Sequence, residues 1–299
     1  MNGFELMAVP NMTNQSQRPF NLGKVFYVDT YGPEASVNAE GTDPNRPLTT
    51  ILAALDKCLA DQNDYIMVLD CYDADSEPIV INKTRTHIIG INTGPMSQYC
   101  VLVPGGDTAV FQIPSAGAHC EIAGFNIGSG ANRGGIQFQG SPHSVWIHHN
   151  IFGHEFPGAE TPKYGIEADT SPTGVVHSVF EDNVFYGTTG TGFGKIDSMG
   201  MILYGTKGCV VRRNTILGVP GSAMQITDAL GMAILDNKIA MGADTAGYGI
   251  KLIGCVGCWI DGNHIAFGET DPSNGYSDDG TNVNNWGINW KGDKVSYTT

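Results

Sequence analysis

Short runs of alternating apolar and polar residues recur through the latter two thirds of the chain. Five of them align on an asparagine: VWIHHNIFG (145–153), SVFEDNVFYG (178–187), CVVRRNTILG (209–218), MAILDNKIAMG (232–242) and CWIDGNHIAFG (258–268). The aligned residues, Asn150, Asn183, Asn214, Asn237 and Asn263, are spaced by 33, 31, 23 and 26 positions. Ahead of the repeats lie second strand signals, GIQF (135–138), GIEA (165–168), GMIL (200–203), AMQI (223–226) and GIKL (249–252), with GINW (287–290) read as a sixth. Weaker units end at Asn92 and Asn126.

Each unit holds two or three short strands and turns in about 25 residues, with no room for a helix. That excludes helical and leucine-rich repeats, and it is too short for a four-stranded propeller blade. The pattern predicts an all-β right-handed parallel β-helix, a solenoid in which each unit is one coil and insertions leave as loops. The asparagines are expected at turns, in the left-handed region, bonded along the axis.

Strand alternation separates inside from outside. Three places before the asparagine stand Ile147, Phe180, Val211, Ile234 and Ile260, and two after it Phe152, Phe185, Ile216, Ile239 and Ile265. Both columns are expected in the core, as are Val145, Ser178, Cys209, Met232 and Cys258 five places before. Between them Trp146, Val179, Val210, Ala233 and Trp259 should point outward, where a solvated column would be polar. An apolar outward row predicts burial under a loop or the N-terminal segment, or against another subunit. Stacking on sugars is the remaining alternative.

The first third differs. Residues 1–24 are polar and aperiodic, with Phe4, Leu6, Met7, Val9 and Phe20 scattered among them, and are read as an extended arm that lies on a partner. Residues 25–66 are read as an N-terminal cap. It comprises a strand VFYVD (25–29), a turn-rich loop, and an amphipathic helix from about Thr49 to Asp61 with Ile51, Leu55, Cys58 and Leu59 on its apolar face. Residues 67–299 form the coils. A helix over the first coil protects an edge that would otherwise pair with another chain.

Composition sharpens the picture. Gly accounts for 40 of 299 residues and charged residues for 15%. Net charge is −14, which disfavours nucleic-acid binding because phosphate contacts need Lys and Arg. No apolar run is long enough to span a membrane, and the N-terminus lacks the pattern of a Sec signal peptide. Cys255 and Cys258 stand closest of the seven cysteines, as CVGC, but nothing completes a zinc site. Reduced core thiols are expected.

The strings FYVD (26–29), GTDPNRPLTTILAAL (41–55) and YIMVL (65–69) resemble the opening of the pectin-lyase-like right-handed β-helix superfamily, and with the coils the resemblance covers residues 25–299. It implies the fold. The superfamily includes polysaccharide-acting proteins and virion proteins of tailed phages, so it leaves function open. Its pectin-hydrolysing members carry Gly-His-Gly and Arg-Ile-Lys motifs that do not occur here.

Asp182 and Asp236, two coils apart at about 10 Å, would suit an inverting glycosidase. Arg213 between them favours a charge-neutralising Asp–Arg–Asp ladder. His148, His149, His154 and His177 are assigned to turns or the surface, and Asp278-Asp279 to a surface loop. No cofactor or metal is expected.

These features together predict a structural virion protein of a tailed phage, a capsid decoration or surface spike. It would fold in the host cytoplasm, bind a capsid or other virion protein through its arm, and form homo-oligomers, with a trimer favoured. A glycan-degrading lyase or hydrolase, and a glycan-binding attachment protein, are the alternatives.

Overall fold

The computed structural model describes residues 23–70, 72–73, 78–91, 100–102, 108–128, 133–153, 163–168, 174–187, 196–241, 247–267, 275–280, 283–292 and 294–296. Arm residues Phe4, Leu6, Met7, Val9 and Phe20, and also Asn92 and His154, lie outside them. The chain winds through three sheets in turn. One coil runs from Trp146–His148 in sheet A to Ile151–Phe152 in sheet B and Tyr164–Ala168 in sheet C, then returns to sheet A at Val179–Glu181. Among the described residues sheets A and B have ten strands each and sheet C eight. Among the described residues pairing between successive coils is parallel, and the one antiparallel pair joins Asn289–Lys291 to Lys294–Ser296.

Like residues stack because each coil repeats the pattern of the one before. Ile147, Phe180, Val211, Ile234 and Ile260 are in register in sheet A and fully buried. The column from Phe152 to Ile265 lines the core from sheet B, with the Phe152 and Phe185 rings stacked 4.7 Å apart. Val145, Ser178, Cys209, Met232 and Cys258 are buried as well.

The asparagine column differs from expectation in one respect. The left-handed residue is the one before each asparagine: His149, Asp182, Arg213, Asp236 and Gly262 have φ of 54°, 55°, 53°, 54° and 68°. That kink turns the asparagine inward, and all five are fully buried. Each donates from its backbone N and its Nδ2 to the Oδ1 of the next, as Asn150 does to Asn183 at 3.1 and 3.2 Å. The ladder runs on to Asn289, which belongs to this column rather than to a second strand signal. At its start Phe125 holds the asparagine place, its N–H donating to Asn150 Oδ1, and Asn126 falls one residue out of step.

The helix spans Ile51–Lys57, shorter than predicted. Thr50 caps it by accepting from Ala53 N. Lys83 Nζ ends it by donating to the carbonyls of Leu55, Asp56 and Cys58, and the Asp64 carboxylate receives Leu59 N–H. Ile51, Ala54, Leu55 and Cys58 are buried, whereas Leu59, past the last turn, is 60% exposed. Val25–Asp29 is itself the first strand of sheet A, parallel to Asp64–Asp70. Among the described residues no helix is long and apolar enough to cross a membrane.

Candidate functional site

The outer face of sheet A carries the chemistry. Register places Tyr65, His87, Glu121, Trp146, Val179, Val210, Ala233, Trp259 and Asn285 in one outward row. The apolar positions predicted to share a row therefore do, from Trp146 to Trp259. A parallel row two residues on contains Ala123, His148, Glu181, Arg212, Leu235 and Asp261.

Across these rows runs a chain of hydrogen bonds. Glu121 takes His87 Nδ1 at 2.6 Å and His148 Nε2 at 2.8 Å, and the far nitrogen of His87 meets Asn63 Oδ1 at 2.9 Å. Tyr65 stacks on His87, with centroids 4.3 Å apart. Burial alone would raise the Glu121 carboxyl; the hydrogen bonds from His148 and His87 outweigh it and hold it at about 2. Trp146 stacks on His148 at 3.9 Å and gives its Nε1–H to Glu181 Oε1 at 2.8 Å. Glu181 also receives Arg212 Nε and Arg213, so burial pushing its carboxyl up is overcome and it stays below the usual range. His148 is thus part of a half-buried network and not a surface turn residue, while His149 and His177 are at left-handed corners.

Arg213 grips Asp182 with two hydrogen bonds, at 2.9 and 2.7 Å, and these hold the Asp182 carboxyl below its usual range. The second carboxylate on Arg213 is Glu181, not Asp236. Asp236 lies outside the ladder, its Oδ1 packed over Gly262, where an added Cβ would meet it at 2.1 Å. Each carboxylate of this network is thereby ionised and paired, which suits a structural role better than proton donation.

The apolar surface is displaced relative to the predicted row. Trp146 is 41% exposed but bound to its own chain, whereas Trp259 is 56% exposed and its indole N–H has no partner among the described residues. Beside Trp259 rises a corner column that sequence reading did not single out. Leu230 and Val256 bridge in parallel, Gly257 N donates to Val283 O, and Val283 is 79% exposed. The signal was there, since Leu230 and Val256 both stand seven places before their asparagines. Leu230, Val256, Trp259 and Val283 are thus exposed apolar side chains of the last coils, and Ala233, beside Trp259 in the outward row, is half-buried.

Asp278 is also better ordered than a surface loop would be. It lies in the strand Tyr276–Asp278 and accepts from Asn284 Nδ2 at 3.0 Å and Trp286 Nε1 at 3.2 Å, while Asp279 accepts from Gly254 N. Trp286 takes the inward place beyond Ile260 at the end of the core.

No protein-family model matches the chain, and the comparison with curated proteins finds no match. Among solved structures, a rhamnogalacturonan lyase aligns at 12% identity and TM-score 0.43, over 83% of this chain and 69% of that one. The enzymatically active domain of tailspike protein 2 from bacteriophage CBA120 aligns at 9% and 0.39, over 81% of this chain and 43% of that one. An alginate lyase from Paenibacillus sp. str. FPU-7 aligns at 13% and 0.36, over 78% of this chain and 96% of that one. These are likenesses in chain path.

Proposed function

We propose that this chain is a structural β-helix protein of a tailed-phage particle, working by assembly with itself and with a virion partner. The observation that supports this reading is the exposure of four large apolar side chains on the last coils, Leu230, Val256, Trp259 and Val283, in a chain of net charge −14. Exposed apolar surface of this kind is characteristic of association sites. Acidic copies repel one another, so the contact between them must be apolar or must bring neutralising groups. The residues of the arm, 1–24, would contact the particle. Proteomics of purified particles, together with sedimentation of the isolated protein, tests the reading. A chain missing from the particles, or one that stays monomeric at every concentration, contradicts it.

A second reading, glycan recognition, is favoured by the band of Tyr65, His87, Trp146 and His148 lying against Glu121 and Glu181. Incubation with acidic and neutral polysaccharides separates the two readings. Specific binding without cleavage would make sheet A an attachment surface, and new reducing ends or unsaturated products would make the protein an enzyme.

A further inference from the structure

One corner of the solenoid, where the chain passes from sheet C into sheet A, carries a basic side chain on each of five successive coils: Arg85, His119, His143, His177 and Lys207. Backbone hydrogen bonds fix their register. Arg85 N donates to Ala118 O, His119 N to His143 O, Ser144 N to Val176 O and His177 N to Lys207 O. Coils lie about 4.8 Å apart, so the five span about 19 Å along the axis. His119 is half-buried and the other four are exposed. Among the described residues none of them has an ion pair. The two carboxylates nearest in the chain are engaged. Asp61, one coil before Arg85, takes the Thr84 hydroxyl at 2.7 Å, and Glu121 is bound by His87 and His148.

The turn itself does not require these residues. Arg85, His119 and His177 occupy its left-handed place, with φ of 57°, 58° and 48°, whereas Gly208, Gly231 and Gly257 fill that place in the next three coils. Gly208 also leaves room for His177, since an added Cβ would meet that ring at 2.6 Å. Side chains kept at a strained place where glycine would serve point to a use for them. The basic groups also oppose one another. His119 meets His143 edge to face at 4.5 Å, and burial, then His143 and Arg85, hold the His119 imidazole below its usual range, with Asp61 opposing. An anion from outside would relieve that repulsion.

Beyond Lys207 the same column becomes apolar. Lys207 bridges to Leu230 and Leu230 to Val256, and Gly257 N donates to Val283 O. Leu230, Val256 and Val283 are all exposed. A nucleic acid or a carboxylated glycan brings charge without apolar side chains; a protein segment brings both.

We propose that this corner docks an acidic segment of a partner protein, extended along the solenoid axis, with its carboxylates on the basic coils and its apolar side chains on Leu230, Val256 and Val283. Arg85 and Val283 are seven coil steps apart, about 34 Å, a span that an extended segment of about ten residues covers. The docking deepens the assembly reading and rests on it for the source of the segment, a component of the particle. A histidine in ordinary surroundings gains its charge as pH falls through about 6.5, so acid makes the corner more basic and tightens the contact.

Fluorescence anisotropy tests this with the full chain and a labelled peptide of about ten residues, glutamates in one half and alternating leucine and serine in the other. Titrations are run at low salt, at about pH 7.5 and about pH 5.5, with a lysine version of the peptide and an oligogalacturonate as further arms. We expect saturable binding that tightens at least about tenfold at the lower pH. His143→Glu combined with Lys207→Glu should weaken it at least about tenfold with the unfolding midpoint unchanged, and Val256→Asp should weaken it as well. No binding at the lower pH, equal binding of the lysine peptide, or an affinity indifferent to these changes overturns the proposal. Tighter binding of the oligogalacturonate overturns a protein segment as the occupant. Sedimentation of the same samples keeps the two readings apart: an oligomer that ignores the peptide overturns this proposal alone, and a permanent monomer that binds it contradicts self-assembly alone.

Discussion

Asn214 gives both its backbone N–H and its Nδ2–H to Asn237 Oδ1, each at 3.0 Å, so a single carboxamide oxygen joins two coils through two bonds. Asn214 Nδ2 also donates to Phe180 O at 2.9 Å, and Asn214 Oδ1 accepts from Asn183 N and Nδ2. Inside a dry core, removing that carboxamide orphans donors on one side and acceptors on the other. Asn214→Ala is expected to cost about 3 kcal/mol or more. Urea unfolding of the variant against wild type measures it; a loss below about 1 kcal/mol would mean that water replaces the rung.

A second expectation concerns acid. The folded Glu121 carboxyl, at about 2, lies below its ordinary value of 4.5. Its contribution is therefore fully present above about pH 4.5 and is lost as pH falls towards 2. Glu121→Gln should destabilise the protein by roughly 1–3 kcal/mol at pH 6 and flatten the stability curve between those two pH values. Thermal melts across pH 2–7 check both effects.

The acidic side chains Glu181, Asp182 and Asp236 should differ. Glu181 is nearly buried and takes hydrogen bonds from Trp146, Arg212 and Arg213. Glu181→Gln should cost about 1–2 kcal/mol, because it removes the negative charge that Arg212 and Arg213 share, while Arg213 keeps Asp182. Asp182→Asn, on a solvent-facing pair, should cost about 0–1 kcal/mol. Asp236→Asn should leave the unfolding midpoint unchanged. A glycan-cleaving activity abolished by changing Asp182 and Asp236 together would overturn the structural assignment of that column.

Two glycines with similar backbone angles should respond differently to alanine. Gly124 has φ 79°, and an added Cβ would lie 2.1 Å from the carbonyl oxygen of Gly90, a backbone atom that cannot rotate away. Gly257 has φ 65° with open space around it. Gly257→Ala should cost only the left-handed penalty, about 1–2 kcal/mol. Gly124→Ala must push neighbouring coils away from each other and should exceed that by at least about 2 kcal/mol. Equal midpoints for the two variants would contradict the close approach.

Much of the fold could be read from strand parity and the asparagine spacing, because stacked coils must repeat their inward residues. The burial of Phe180, Val211 and Ile234 needs no more than counting from Asn183, Asn214 and Asn237. The same counting misplaced the left-handed turn by one residue, since αL tolerance pointed to the asparagine itself. Its carboxamide is needed inside, so the kink falls on Asp182 or Arg213, whose side chains can face solvent. The His87–Glu121–His148 network was not legible because the coil of its central Glu121 has Phe125 in the asparagine place and so escaped the alignment. The Leu230–Val256–Val283 column was missed for another reason. Its earlier members alternate, His143 and Lys207 on either side of Val176, so only the last coils make it continuously apolar.

The assembly reading is tested most directly by sedimentation velocity over a wide concentration range, comparing wild type with Trp259→Asp at low and moderate salt. The account predicts a wild-type oligomer that strengthens with salt, as screening relieves repulsion between copies of charge −14. It also predicts a Trp259→Asp chain with the same unfolding midpoint that sediments as a monomer. Wild type and variant sedimenting identically as monomers, with the wild-type Trp259 indole open to aqueous quencher at the highest concentration, would contradict it.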